Sequence, residues 1–146
     1  MAIRRIFMEG EPVLRKTSKQ VDSFDQRLHT LIDDMWDTLS RADGVGLAAP
    51  QVGILKRVVV IDCGNNRMEL VNPTIIESSG SQTGPEGCLS VEGRNAPVKR
   101  AMNVTFSAFD RHGNPYTKSV TGLEARCVQH ELDHLDGILF IDRVKK

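Results

Sequence analysis

No stretch of this chain approaches the roughly 18 consecutive apolar residues of a membrane-spanning helix, so no helical anchor is expected. The first residues, Met1-Ala2-Ile3-Arg4-Arg5-Ile6-Phe7-Met8-Glu9, lack the apolar core and small-residue cleavage site of a secretory signal. An excess of one charge is also missing. Lys plus Arg number 19 and Asp plus Glu number 19, a formal net charge of zero. That balance argues against a general nucleic-acid or anionic-membrane binder, although local basic patches stay open. There is no disulfide framework either: Cys63, Cys88 and Cys127 are odd in number and irregular in spacing. Free or metal-bound thiols in a reducing, intracellular setting are expected, which makes an intracellular enzyme the default. Repeats, low-complexity tracts and linkers are absent from the sequence, so one domain over residues 1–146 is expected, long enough to bury a core. Apolar content of 40% and charged content of 26% are ordinary for a globular protein.

From about Phe24 to Ala42, apolar side chains recur at Leu28, Leu31, Ile32, Met35, Trp36 and Leu39, one face of a helix, with Gly44 as a stop. Trp36 and Met35 read as core. The run Arg57 to Asp62 is β-branched and ends at a Cys63-Gly64-Asn65-Asn66 turn, which predicts a buried strand. Met68 to Val71, before Asn72-Pro73, predicts its partner. Asn103–Asp110 and Tyr116–Val120 flank a turn and predict a hairpin. Thr121 and Glu124 have the spacing of a capping box, so a helix is expected from there to about Asp136, stopped by Gly137. Ile138 to Ile141 reads as an apolar segment covering the core, and Lys145-Lys146 as a solvated tail. The expected class is α+β, with a long first helix, short strands and a second helix.

That second helix carries His130-Glu131-Leu132-Asp133-His134, an HExxH pattern. Histidines four apart lie on one helical face and can grip one cation, while Glu131 reaches a water on it. The bland alternative is a chance match on an amphipathic helix, since the pattern specifies only three residues. A catalytic site of this kind needs a third protein ligand and one open position. His29 and His112 read as surface or structural residues. Cys127, three before His130, would crowd one side of a metal and reads as cavity wall or core; Cys63 ends a buried strand and reads as core. Cys88 stands in Pro85-Glu86-Gly87-Cys88-Leu89-Ser90, a glycine-flanked segment read as a loop, where a thiolate can approach a cation. The segment Gly44-Val45-Gly46-Leu47-Ala48-Ala49-Pro50-Gln51 reads either as a helix end with a tight turn or as backbone approaching a ligand, with Gln51 as a donor. It fails as a nucleotide loop, because no Lys-Ser/Thr follows.

Taken together, Gly44 to Gln51 (GxGxAAxQ), Glu86 to Ser90 (EGCxS) and His130 to His134 (HExDH) closely resemble the peptide deformylase family over almost the whole chain. Val71-Asn72-Pro73, Leu135-Asp136-Gly137 and Pro12-Val13-Leu14-Arg15 add to the likeness. The resemblance implies short antiparallel or mixed sheets around a central metal-binding helix. It implies Cys88, His130 and His134 as ligands of one divalent metal, with a water in the fourth position as nucleophile. Glu131 would be general base and then acid, and Gln51 with the Leu89 N–H would stabilise the oxyanion. The substrate would be the formyl-methionine terminus of nascent polypeptides, releasing formate, in the bacterial cytoplasm rather than an organelle. An extended peptide would add a strand along Val45-Gly46 and Gly87, and Val45, Cys127 and Leu123 would line a methionine pocket. Fe(II) is the expected cellular metal, and Zn(II), Ni(II) or Co(II) also suit one thiolate and two imidazoles. A monomer with transient ribosome proximity and without specific nucleic-acid or membrane partners is expected.

Asp133 is expected either to pair with an arginine such as Arg100 or to lie solvated on the helix's outer face. Glu92 stands where many relatives have proline, and Arg126 where an apolar residue would be unsurprising, so substrate preference is the open question. Many relatives continue beyond the position of Lys146 into a further helix. Two rivals remain on residues alone. A zincin-type protease would take a downstream ligand, for which Asp136 and Asp142 are the candidates after His134. A structural zinc module would be closed by four protein ligands.

Overall fold

The computed structural model describes residues 2–64 and 66–144. Strand β2 (Val58–Cys63) explains the layering. Successive strand side chains face opposite ways, and both faces of β2 are covered. Val58 and Val60 pack with Leu28, Leu31, Ile32, Met35 and Leu39 of helix α1 (Gln26–Ala42). Val59 and Ile61 pack with Ala125, Val128, Leu132 and Leu135 of helix α2 (Gly122–Leu135). A strand buried on both sides has no polar face, which is why it reads as an unbroken β-branched run. Fully burying a side chain such as Ile61 contributes about 1.5–3 kcal/mol.

The sheet holding β2 is five-stranded, ordered β1-β2-β3-β6-β7. Its other strands are β1 (Gly46–Ala48), β3 (Asn66–Ser79), β6 (Asn103–Phe109) and β7 (Pro115–Thr121). A second, two-stranded sheet joins β4 (Gln82–Cys88) to β5 (Val91–Arg100). The strand pairs of both sheets are antiparallel, and the protein is α+β with two α-helices among its described residues. Short 3-10 turns lie at Pro12–Arg15, Ala49–Val52 and Phe140–Arg143. The first and last pack Leu14, Leu139 and Phe140 against Val91 and Val98 of β5. No helix of the described residues is long and apolar enough to cross a membrane.

Several local expectations change. β3 does not end before Asn72-Pro73 but runs on to Ser79. Asn72 adopts φ 50°, its side chain bonds both Val21 N and Val21 O, and a register shift between Val71 and Thr74 accommodates Pro73, which has no N–H for the ladder. Cys88 is the last residue of β4, paired with Val91, rather than a loop residue. Pro and Gly in Gln82–Cys88 hide the alternation that marks a strand. Thr121 is the N-cap of α2, yet its side chain makes no cap bond. Its Oγ1 bonds Asn103 Oδ1 at 3.1 Å, and Glu124 accepts from Asn66 at 3.2 Å, so residues of β6 and β3 replace the capping-box partners. Asp43, in the left-handed region at φ 56°, caps α1 in place of Gly44. The solvated tail expected at Lys145-Lys146, and Asn65 of the expected turn, lie outside the described residues.

Candidate metal and active site

Helix α2 places His130 and His134 on one face, their ring centroids 5.1 Å apart. The end of β4 brings Cys88 to them, its Sγ 3.4 Å from His134 Nε2. One ligand atom from each of Cys88, His130 and His134 lies within 4.8 Å of the others, a group that can hold a metal ion. The surroundings fit such an ion. His130 Nδ1 is engaged by Glu86 Oε1 at 2.9 Å, which orients the ring and leaves Nε2 for a ligand. Glu131 Oε1 is buried beside this group without a hydrogen-bond partner, and a buried unpaired carboxylate oxygen marks a place for a further group. One thiol and two imidazoles form a borderline-soft donor set suited to a first-row divalent metal.

Glu131 is 5% exposed, with Oε2 4.0 Å from His130 Nε2. Burial pushes its carboxyl up to about 7, the range in which a carboxylate can both take and return a proton near neutrality. Glu86 has the opposite character. Burial would raise it, but Arg100 and His130 hold it down at about 2, a permanent anion. Burial depresses His134 well below the usual imidazole range, leaving it neutral and able to donate to a cation.

A cleft of about 710 Å³ opens onto this group, and Val45, Gly46, Gly87, Leu89, Cys127 and Glu131 line it. Val45 and Leu123, at 53% and 61% exposed, are large apolar residues left open on its walls. β1 is an edge strand, so one side of it is unpaired within the sheet. Gln51 lies deeper, 1% exposed. Its Oε1 accepts from Ala48 N at 2.9 Å, which turns Nε2 toward Ser90 Oγ at 3.1 Å and Cys88 Sγ at 3.5 Å. A larger cavity, about 800 Å³, lies elsewhere, lined by Arg57, Lys99, Arg143 and Asp136, and contains neither the cysteine nor the histidines.

Asp133 pairs with Arg100 at 2.7 Å and with both arms of Arg143, so the solvated alternative does not hold. His29 and His112 form a separate edge-on pair, with His29 Nε2 2.9 Å from Arg111 O. Cys63 and Cys127 are buried, and burial pushes the Cys127 thiol above the normal range. Sequence reasoning assigned no role to Glu86, Ser90 or Arg143. For Arg126 a signal was available, since its four-residue spacing from His130 places both on one face of α2.

The family model described as polypeptide deformylase matches residues 3–146. The chain is 53% identical over 146 residues to the peptide deformylase of Alkaliphilus metalliredigens, covering 100% of this chain and 99% of that protein. Among solved structures, the peptide deformylase of Thermotoga maritima superposes with a TM-score of 0.97 at 40% identity, covering 99% of each chain. That of Synechococcus elongatus, in complex with actinonin, gives 0.95 at 42% identity, covering 98% of this chain and 79% of its own.

Proposed function

Since the chain belongs to the polypeptide deformylase family and is an enzyme of that kind, we propose that it removes the formyl group from N-formyl-methionyl termini of nascent polypeptides. The observation that carries this reading is the buried, partly unpaired Glu131 carboxylate beside Cys88, His130 and His134 at the floor of an apolar-walled cleft. Cys88, His130 and His134 would hold one divalent cation, Fe(II) being our choice in the cell with Zn(II), Ni(II) or Co(II) able to substitute. Such an ion, when bound, acidifies water and polarises a carbonyl oxygen. α2 is thus the metal-carrying helix, around which the two sheets are arranged.

The protein's own residues account for the remaining demands of the reaction. Glu131 accepts a proton from the attacking water and delivers it to the amine nitrogen as the carbon–nitrogen bond breaks. The products are formate and a free amino terminus. Gln51 Nε2 and the Leu89 N–H donate to the oxygen as it gains charge; one such donor is typically worth about 10²–10³ in rate. The extended peptide pairs with the free edge at Val45-Gly46 and passes Gly87, with Val45, Cys127 and Leu123 around the methionine side chain. Arg126 does not change this reading, because its guanidinium is spent on Glu86, Gly84 O and Val98 O. One domain, acting as a monomer in the cytoplasm with only transient ribosome proximity, suffices for this chemistry.

The test is formate release from a formyl-Met peptide by anaerobically prepared, Fe(II)- or Ni(II)-loaded protein, beside its Glu131→Gln variant. Turnover that falls about 10²–10⁴-fold in the variant supports both reaction and base. Metal-loaded protein that releases no formate refutes the reading.

A further inference from the structure

We propose that Arg126 is a positioning residue for the metal site: acting through Glu86, it sets the His130 ring against the strand that carries Cys88. The inference rests on the reading of Cys88, His130 and His134 as metal ligands. Those ligands come from two separate elements, β4 and α2, so something must fix the distance and angle between them. Glu86, two residues before Cys88, is the junction. Its Oε1 accepts from His130 Nδ1 at 2.9 Å and from Arg100 Nη2 at 2.9 Å, and its Oε2 from Arg100 Nε at 2.8 Å and Arg126 Nη1 at 2.6 Å. The Arg126 and Glu86 side chains are 8% and 3% exposed, so this contact is little screened by solvent.

The two arginines do different work. Arg100 is shared with Asp133, which is itself held by Arg143 on the solvent side. Arg100, at the end of β5, thus joins the hairpin to α2 from the strand side, and Arg126 makes a second tie that runs from α2 into the middle of the hairpin. Besides Glu86, its Nη1 reaches Gly84 O at 3.3 Å and Val98 O at 3.0 Å, one carbonyl from each strand. Space for it is provided by Gly84, where an added Cβ would lie 3.3 Å from Arg126 Nη2. Arg126 and His130, four residues apart on one helical face, thus meet the same carboxylate. The arginine holds Glu86 where the histidine needs it, and does so from the histidine's own helix.

A double-mutant cycle on the full-length protein tests this, using Arg126→Met, Arg126→Lys, Glu86→Gln and the Met/Gln double variant. The readouts are the Co(II) dissociation constant, by chelator competition, the visible absorption of the Co(II) form, and KM and kcat separately. Arg126→Met keeps an apolar stem in the cleft wall and removes the guanidinium. It should weaken Co(II) binding about 10–100-fold and shift the Co(II) bands, with KM unchanged; Arg126→Lys should recover part of the loss. The double variant should bind no more weakly than Glu86→Gln alone, because both act through one contact. Unchanged Co(II) affinity and spectrum in Arg126→Met, or additive losses in the cycle, would overturn the proposal. Should Arg126→Met not fold, the cycle run with Arg126→Lys gives the same comparison. If Co(II) binding depends on Arg126 as stated yet the wild type releases no formate, the deformylase reading fails and the role of Arg126 stands. If formate is released but Co(II) binding ignores Arg126, the reverse holds.

Discussion

A methyl group placed on Gly46 would lie 2.6 Å from Glu131 Oε2, so strand β1 and the proposed base meet with no room for another atom. The φ of Gly46 is not positive, so an alanine there is conformationally acceptable, and the three atoms nearest its methyl all belong to the Glu131 side chain. Gly46→Ala should therefore displace Glu131 while leaving the fold intact. Formate release should fall by about 10²-fold, within the range for loss of a general base, with metal content unchanged. Steady-state assays beside a thermal melt check this; a variant as active as wild type would show that Glu131 can move without consequence.

The proposed ligand set makes a prediction independent of turnover. A metal that binds only the folded protein stabilises it by about 2.7 kcal/mol when present at 100 times its Kd. Adding Ni(II) to metal-free protein should raise Tm, and a chelator should reverse the rise. Cys88→Ser and His134→Ala should each abolish most of the shift, whereas His112→Ala, in the separate His29–His112 pair, should keep it in full. Calorimetry with and without Ni(II) is the measurement.

Stability against acid should depend on Glu69. Burial would raise this carboxyl, but hydrogen bonds from Arg111 and Trp36 outweigh it and hold the group below 4.5. A carboxyl whose folded value is depressed stabilises the protein above its unfolded value, and the contribution disappears as pH falls through the folded value. The stability difference between wild type and Glu69→Gln should be complete at neutral pH and shrink on acidification below 4.5. Urea unfolding of both proteins over that pH range tests this, and a gap that widens with acid would contradict it.

The two helix starts should respond unequally to alanine. Asp25 accepts from Leu28 N at 3.2 Å, a genuine N-cap bond, so Asp25→Ala should cost about 1 kcal/mol. The Thr121 side chain caps nothing, so Thr121→Ala should cost clearly less than that typical cap value. Urea midpoints for both variants decide it, and equal losses would mean that the exposed Thr121–Asn103 bond is worth as much as a cap.

What the sequence by itself determined is the part of the molecule governed by near neighbours. The apolar spacing of Leu28, Leu31, Ile32, Met35 and Leu39 sets the buried face of α1, because helical periodicity is local. The β-branched run ending at Cys63 sets β2, and the alternation from Asn103 sets the β6–β7 hairpin. The four-residue spacing of His130 and His134 likewise places both imidazoles on one face before any packing is known. Tertiary structure decided the rest. The β4–β5 hairpin is hidden by its Pro and Gly residues, and β3 continues past Pro73 by pairing with β6 across a register shift at which Asn72 bonds Val21, far away in the chain. The missing cap at Thr121 has the same origin, since Asn103 on a neighbouring strand competes for its hydroxyl. So does the role of Glu86. Its carboxylate meets Arg100, Arg126 and His130 only when a hairpin and a helix close on each other, and burial there strengthens contacts that solvent would otherwise screen.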